Sequence, residues 1–382
     1  MLGASYQASL DAKQSHLVEL FPDAGIVRPI RAVKSVAGCR NRARLAVSGR
    51  VDHPIIGFPD EHRRIVQVPD CPLHRPAINR FIAALPDLIS DYRLSPYSIE
   101  ADSGELKYVV ITSAPDGDNP DAEVAVAEMP DADESLMVQW VLRSREAADR
   151  VRKLWRNCEE SLGIRVMSIN IQPRRTSIIQ GDEHIAVSIE TDLPVRMRGK
   201  TLFYHPECFM QTNLSVAAQL YATAADIIRQ ADCRSLLELY CGVGAFSHLC
   251  SPASPPATFR HCAMELSAEA IRCARRAAEF NGTGPLNFLQ HDASADLPAD
   301  VSRADWDLVI CNPPRRGLDE QLRRRLSQIA GSRILYSSCN PTTLRRDLDL
   351  LRDFELQELH PFDMFPFTHH MEVLAVLKRA GT

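Results

Sequence analysis

The chain has 382 residues, which is too long for one ordinary hydrophobic core and indicates about two domains. No window holds the roughly 18 uninterrupted apolar residues of a membrane helix, and the first residues lack the basic-then-apolar order of a signal peptide, so we expect a cytoplasmic protein. The net charge of −5 argues weakly against a nucleic-acid partner, although seven basic and no acidic residues lie between Asp23 and Asp52.

The first half of the chain consists mainly of short strand-like segments that are rich in β-branched residues and bounded by turn formers. These segments lie at 42–49, 107–113, 136–144 and 166–173. Helical periodicity occurs at 77–89 and 145–162. The acidic, proline-containing run at about 114–135 is typical of an exposed insertion. Together these patterns predict a mixed α+β domain over residues 1–198.

Three arginines, Arg40, Arg42 and Arg44, alternate where the first of these strands begins and would point to one face of a sheet. Such a row could bind RNA phosphates. It could equally be a solvated strand face, and the sequence leaves both interpretations open.

From residue 199 onward, strand-like and helical segments alternate to the end of the chain. The strand-like segments lie at 235–240, 262–266, 287–293, 306–314, 333–340 and 371–379. This order predicts a parallel, doubly wound, Rossmann-like sheet with helices on both faces, in a domain over residues 199–382. In such a sheet, ligands bind at the carboxyl ends of the strands.

A glycine-containing turn follows the first strand of this domain, with Tyr240, Gly242 and Gly244 in close succession. Glycines let the backbone pass close to a ligand. The third glycine of the dinucleotide fingerprint is not evident, which favours a nucleoside cofactor without a pyrophosphate. At the end of the second strand, Glu265 is placed to accept hydrogen bonds from both ribose hydroxyls.

The fourth strand ends in Asn312-Pro-Pro-Arg315, whose two prolines predict a rigid loop over the site. The Asn312 amide can both donate and accept hydrogen bonds. Many amino-group methyltransferases carry a base-stacking aromatic residue where this chain has Arg315. The difference argues against methylation of an exocyclic nitrogen, and Arg315 suits a phosphate or a uracil oxygen instead.

Two further residues, Cys339 and Glu372, lie at the end of the fifth strand and the start of the last. Carbon 5 of uracil is a poor nucleophile until a thiolate adds to carbon 6, and a base must afterwards remove the carbon 5 proton. This chemistry requires one activated thiol and one carboxylate at the same ring. Taken singly, Cys339 could be an inert buried thiol and Glu372 a surface carboxylate.

These motifs together resemble those of the bacterial RNA uracil-C5 methyltransferases. The resemblance rests on 211–213, 239–246, 265–271, 312–318, 337–348 and 363–374 in the second half, and on 38–49, 70–74 and 104–112 in the first. It covers nearly the whole chain and is closest to the branch that acts on uracil 747 of 23S rRNA.

The resemblance implies a function and a role for each matching residue. Cys339 would be the nucleophile and Glu372 the proton-abstracting base, while Gln211, Tyr240, Glu265 and Asn312 would contact S-adenosylmethionine. The first half would recognise RNA, and the branch that the chain resembles acts on 23S rRNA. Neither a metal site nor an obligate protein partner is expected.

One departure from the family concerns an iron cluster. The resemblance is to a branch in which three N-terminal cysteines and a fourth in an Asp-Cys-Pro-Leu motif hold a four-iron cluster. Cys71 matches the fourth, but the other three have no counterpart before Cys39. We therefore expect no cluster in this chain. The three cysteines would be missing either because the start codon was assigned too late or because they have been lost.

Three alternatives remain open at this point. The same carbon 5 methylation could act on a tRNA uracil, because the motifs are shared between branches. A nitrogen-directed nucleic-acid methyltransferase would need no thiol and would tolerate loss of Cys339. A non-catalytic RNA-binding factor that retains the fold would bind RNA without transfer, although intact Cys339 and Glu372 disfavour it.

Overall fold

A computed structural model describes residues 5–381 except 24, 63, 116–133, 159–160, 177, 252–257 and 285. The predicted acidic insertion falls mainly in 116–133 and so lies outside the described residues. Backbone contacts divide the chain into two units. The first, here called the inserted unit, is Ser35–Val195, and the second, the two-segment unit, combines Met1–Lys34 with Arg196–Thr382. This division differs from the predicted domains at the N-terminus.

The helices of the described residues are α1 (Tyr6–Leu20), α2 (Pro76–Asp91), α3 (Ala148–Cys158), α4 (Leu214–Gln230), α5 (Ala245–Cys250), α6 (Ala268–Phe280), α7 (Ala299–Ser302), α8 (Glu320–Ile329) and α9 (Pro341–Leu348). Within this part of the chain, no helix is long and apolar enough to span a bilayer.

The strands of the inserted unit are β1 (Arg42–Arg50), β2 (His53–Pro59), β3 (Ile65–Gln67), β4 (Leu106–Pro115), β5 (Glu134–Leu142), β6 (Ile164–Ile171) and β7 (Glu183–Ala186). They form one sheet in the order β3-β2-β1-β4-β5-β6-β7. Every neighbouring pair is antiparallel except β5 and β6, which are parallel and joined by α3. The apolar faces of α2 and α3 share a core with this sheet. The predicted mixed α+β architecture is confirmed.

A buried ion pair connects α2 to the sheet of the inserted unit. Arg75, the residue before α2, donates from Nε to Oε1 of Glu134 over 2.7 Å, and both side chains are almost fully buried. The other carboxylate oxygen accepts from the Ala77 amide at 3.3 Å and from the Ser113 hydroxyl at 2.7 Å. Glu134 therefore joins the start of the helix to β4 and β5.

The two-segment unit contains β8 (Leu193–Met197) in part, and β9 (Lys200–Tyr204), β10 (Ser235–Leu239), β11 (Arg260–Glu265), β12 (Phe288–Gln290), β13 (Trp306–Cys311), β14 (Ala330–Ser338), β15 (Phe354–Phe362) and β16 (Glu372–Arg379). Its main sheet has the order β12-β11-β10-β13-β14-β16-β15. The chain runs outward from β10 to β12 and then returns to β13 beside β10. A crevice for a ligand is expected at such a reversal, at the carboxyl ends of the strands.

The predicted doubly wound sheet is confirmed, but two of its features were not predicted correctly. The strands β10 to β14 are parallel, whereas β16 is antiparallel to β14. Strand β15, which the sequence analysis did not identify, forms a hairpin with β16. Its N-terminal part alternates exposed with half-buried side chains after the buried Phe354, and its charged residues weaken the apolar signal. The hairpin places β16 between β14 and β15.

The first 34 residues group with the C-terminal segment because they share its core and its sheet edge. Leu17 and Phe21 are buried in the same apolar cluster as residues of β10 to β16. Beyond α1, the backbone runs parallel to β15, with Arg28 N donating to Leu359 O at 2.8 Å and Arg31 N donating to Pro361 O at 2.9 Å. This segment therefore covers the edge strand of the sheet.

We expect the substitution Arg75→Met to destabilise the inserted unit by about 3–5 kcal/mol, because it leaves the Glu134 carboxylate buried without its cation. Chemical denaturation would measure the change in the free energy of unfolding. The exposed Arg80 on the same helix provides the control, and Arg80→Ala should change stability by no more than about 0.5 kcal/mol. Equal effects of the two substitutions would contradict this account of the ion pair.

Candidate active site

The turn after β10 has an unusual backbone. Tyr240, Gly242 and Gly244 all have positive φ angles, of 60°, 55° and 76°. A Cβ atom on Gly244 would lie 2.7 Å from Cε1 of Phe288, so only glycine fits there, whereas Gly242 has open space beside it. The tight turn thus places the Gly242 backbone, with open space beside it, at the carboxyl end of β10.

Glu265 ends β11, the strand next to β10, and contacts this turn directly. Its Oε2 accepts a hydrogen bond from the Gly242 amide at 3.1 Å, and its Oε1 accepts one from the Ser267 amide at 2.9 Å. Each carboxylate oxygen can accept a further hydrogen bond. The predicted neighbours Gly242 and Glu265 are therefore brought together, with acceptor capacity remaining on the half-buried carboxylate.

Sequence reasoning missed a buried polar chain beneath the glycine turn. The Glu238 carboxylate accepts hydrogen bonds from the amide and the hydroxyl of Ser247, and the Ser247 oxygen lies 2.8 Å from Nε2 of His261. Since His261 Nδ1 accepts from the Asn287 amide at 3.1 Å, Nε2 carries the proton and donates to Ser247. Burial raises the pKa of Glu238 to about 8. The available signal was a single acidic residue within the otherwise apolar strand β10.

The loop that begins at Asn312 follows β13 and is attached to two neighbouring elements. The Asn312 amide donates to Leu239 O at 3.4 Å, at the end of β10. At its other end, the Leu318 amide donates to Oδ2 of Asp347 at 2.8 Å. Asp347 lies on α9, is fully buried, and also accepts from the Tyr336 hydroxyl at 2.7 Å. Asp347, which the sequence analysis did not single out, thus holds the predicted rigid loop against α9.

Cys339 lies between the end of β14 and the start of α9. The next residue, Asn340, caps α9 by accepting hydrogen bonds from the amides of Thr342 and Thr343 at 3.1 and 3.4 Å. Burial, and then the charge of Glu372, raise the pKa of the half-buried Cys339 thiol, while Arg315 acts in the opposite direction through charge and a hydrogen bond. The predicted residues Cys339, Arg315 and Glu372 are therefore neighbours.

Glu372 begins β16, and the antiparallel register explains why it lies near Cys339. Ser338 pairs with Val373, so the next step of the same register sets Glu372 opposite Cys339. The Glu372 side chain is 2% exposed, and its Oε1 accepts a hydrogen bond from the Ser337 hydroxyl at 2.6 Å. Burial raises the pKa of Glu372 to about 7, against the smaller opposing effect of this hydrogen bond. A carboxyl group with such a pKa can take up a proton near neutral pH.

Two other residues that were predicted to contact the cofactor, Gln211 and Tyr240, lie in the same unit. Gln211 is buried just before Asn213, which caps α4 by accepting from the Val216 amide at 3.2 Å. The Tyr240 hydroxyl lies 3.5 Å from the hydroxyl of Ser294, in the turn that follows β12. The structure places both side chains in the two-segment unit and leaves their binding roles as predictions.

The arginine row of the inserted unit is not a uniform surface. Arg44 is exposed and Arg40 is half-buried, whereas Arg42 is only 7% exposed. The burial of Arg42 does not suit a direct phosphate contact, and its backbone pairs with Thr112 of β4. Arg44 is the member of the row that is best placed to meet a phosphate.

Comparisons with known proteins find a matching family and similar full-length relatives. The family described as tRNA (Uracil-5-)-methyltransferase matches residues 134–380. Proteins named 23S rRNA (uracil(747)-C(5))-methyltransferase are similar over most of their length. The protein of Xenorhabdus nematophila is 32% identical over 98% of this chain and 95% of its own. That of Shewanella oneidensis is 36% identical over 89% and 83%, and that of Yersinia enterocolitica 34% identical over 98% and 95%.

A solved structure is similar over nearly the entire chain. It is the Pyrococcus abyssi tRNA (uracil-54, C5)-methyltransferase in complex with S-adenosyl-L-homocysteine, with a TM-score of 0.76 and 25% identity over 98% of this chain and 83% of that one. The fold, the family match and the full-length relatives lead to one assignment. The chain belongs to the S-adenosylmethionine-dependent RNA (uracil-C5) methyltransferases.

Proposed function

We propose that this protein methylates carbon 5 of a specific uracil in 23S rRNA through a covalent adduct of Cys339 with carbon 6. The convergence of Cys339 and Glu372 at one end of the β14–β16 pair is the observation that carries the proposed chemistry. The choice of 23S rRNA is supported by the names of the relatives that match over most of their length.

The residues around the glycine turn fit S-adenosylmethionine. The open space beside Gly242, the remaining acceptors on Glu265 and the half-buried Asn312 suit a nucleoside that carries a polar tail. Gln211, Tyr240 and Gly244 would complete the site. When bound, S-adenosylmethionine supplies an electrophilic methyl group.

Cys339 begins the proposed reaction by adding to the uracil ring. Its thiolate forms a sulfur–carbon bond at carbon 6, and the electrons of the ring double bond move toward the oxygen on carbon 4. Carbon 5 becomes nucleophilic and would form a bond to the methyl group as the bond from that group to the sulfonium sulfur breaks, with S-adenosyl-L-homocysteine as the leaving group. Arg315, which lies beside Cys339 and opposes the rise in its pKa, favours the thiolate that starts this step.

Glu372 completes the reaction by removing the carbon 5 proton. The electron pair of that carbon–hydrogen bond re-forms the double bond between carbons 5 and 6, and the bond from carbon 6 to sulfur breaks. Cys339 leaves as a thiolate and Glu372 holds the proton. The buried carboxylate is suited to this role because its pKa of about 7 makes it a stronger base than an exposed glutamate.

The inserted unit would recognise the RNA. The exposed guanidinium of Arg44 and the half-buried one of Arg40 would contact phosphates, which position a nucleic acid without reading its sequence. The target uracil would leave its stack to reach the site.

Trapping with 5-fluorouridine tests the nucleophile and the substrate together. Fluorine on carbon 5 cannot leave as a proton, so the adduct should persist and appear as a slow band on a denaturing protein gel. We expect the band with a 23S rRNA fragment and S-adenosylmethionine, and its loss in Cys339→Ala together with an at least ~1000-fold fall in methylation.

Cys233→Ala is the matched control, because Cys233 is another half-buried thiol of the same unit whose pKa is raised by burial. It should retain the band. Methylation that persists in Cys339→Ala would refute the covalent mechanism and favour a nitrogen-directed enzyme. A band with tRNA but not with the 23S fragment would move the assignment to tRNA.

The pH dependence of adduct decay tests Glu372. Because the carboxylate must be unprotonated to act as a base, the decay rate of the methylated adduct should rise about tenfold per pH unit below about 7 and level off above it. A pH jump after adduct formation isolates this step from ionisation of the thiol. Glu372→Gln should slow decay by about 10²–10⁴-fold and remove the pH dependence. Wild-type decay that is flat across this range would contradict the assignment.

A further inference from the structure

Helix α1 makes a buried contact with the chain just before Glu372. The Tyr6 hydroxyl donates to Oδ2 of Asp363 over 2.6 Å, and Lys13 forms an ion pair with Oδ1 of the same carboxylate. Lys13 also donates to the Phe365 carbonyl at 2.9 Å. Lys13 is 2% exposed and Asp363 is fully buried, so water does not screen this interaction.

Asp363 begins the loop that joins the two strands of the β15–β16 hairpin. The residue before it, Phe362, is the cross-strand partner of Glu372. The loop therefore leaves the hairpin and returns to it at the level of Glu372. Two residues of α1, which lie 357 and 350 residues from Asp363 in sequence, thus contact the connection that precedes Glu372.

The same loop contacts α1 at a third point. The Phe367 ring lies 5.5 Å from that of Tyr6, and Phe367 has a φ angle of 61°, which a non-glycine residue rarely adopts. Within the loop, the Thr368 amide and hydroxyl donate to the Phe365 carbonyl at 3.3 and 2.8 Å. Tyr6 and Lys13 thereby contact the loop at Asp363, Phe365 and Phe367.

Core stability alone does not require such an ion pair. Apolar residues of similar volume usually stabilise a buried position as well as a lysine–aspartate pair does, since both charges must be desolvated. An ion pair with fixed donors does more than stabilise, because it holds the groups that it joins in a defined position. An error of about 1 Å at a catalytic group can cost about 10²-fold in rate.

From this arrangement we propose that Tyr6 and Lys13 are positioning residues for Glu372. This inference rests on the proposed function. By holding Asp363 and the loop that follows it, the two side chains keep the Glu372 carboxylate where it can remove the carbon 5 proton. Removal of either contact slows the release of the methylated RNA and leaves attack by Cys339 intact.

The test separates these two steps with full-length protein variants. Tyr6→Phe removes only the hydroxyl and retains the ring against Phe367, while Lys13→Met removes the cation. Gln7→Ala is the control, because Gln7 is exposed on the same helix and its side chain donates a hydrogen bond to Asp11, one turn along α1. Each variant is mixed with an ordinary 23S rRNA fragment and S-adenosylmethionine, and both the adduct and free 5-methyluridine are followed in time.

We expect Tyr6→Phe and Lys13→Met to accumulate the methylated adduct and to release product roughly 10–100-fold more slowly than wild type. The rate of trapping on 5-fluorouridine RNA should stay within about twofold of wild type, because that rate reports the steps before proton removal, which are attack and methyl transfer. Gln7→Ala should match wild type in both assays.

Loss of trapping and release in the same proportion, without accumulation of adduct, would mean that α1 serves only stability and would overturn the inference. Tyr6→Phe keeps the test decisive if Lys13→Met fails to fold. Failure of the wild-type protein to form any Cys339-dependent adduct is a different result. It would remove the proposed function, and this inference with it.

Discussion

The antiparallel pairing of β14 with β16 is the constraint on which the site depends. Side chains alternate along a strand, so a slip of one residue in this register would turn Glu372 to the other face of the sheet. The observed register, extended one step beyond Ser338 and Val373, instead sets Glu372 opposite Cys339, and Ser337 donates to the Glu372 carboxylate. The nucleophile and the base come from separate segments of the chain, and the backbone hydrogen bonds between two strands set the distance between them.

Buried carboxylates recur wherever a loop must be fixed at this end of the sheet. Glu238 holds the start of α5 beneath the glycine turn, Asp347 holds the loop after β13, and Asp363 holds the loop before β16. Each accepts several hydrogen bonds, which offset part of the free energy that desolvation of a carboxylate requires. Glu372 differs because the register of β14 and β16 sets it beside Cys339, whereas burial raises its pKa to about 7 much as burial raises that of Glu238 to about 8. The same kind of group therefore fixes structure in three places and is suited to accept a proton in the fourth.

Much of the two-segment unit could be predicted from sequence because its elements follow local rules. The apolar run 235–239 and the glycines after it predict a buried strand and a tight turn. The position of Glu265 beside Gly242 followed from the order of parallel strands. The contacts of Tyr6 and Lys13 could not be predicted, because their partner, Asp363, lies about 350 residues away and nothing in the local pattern of either segment indicates it. The burial of Arg42 was missed for a similar reason: alternation assigns a face of the strand but does not show what covers that face.

The two-segment composition of the second unit has a consequence for how the protein is made. Helix α1 is synthesised before the inserted unit, yet the core that buries Leu17 and the sheet edge that Val27 joins include strands that are synthesised after that unit. During translation the N-terminal segment therefore meets its native partners only after the whole of the inserted unit has been synthesised. The segment can find its place only when synthesis is nearly complete. A chain interrupted before β15 would therefore carry the glycine turn and the cysteine but no completed sheet. The site can form only after β15 and β16 have been synthesised.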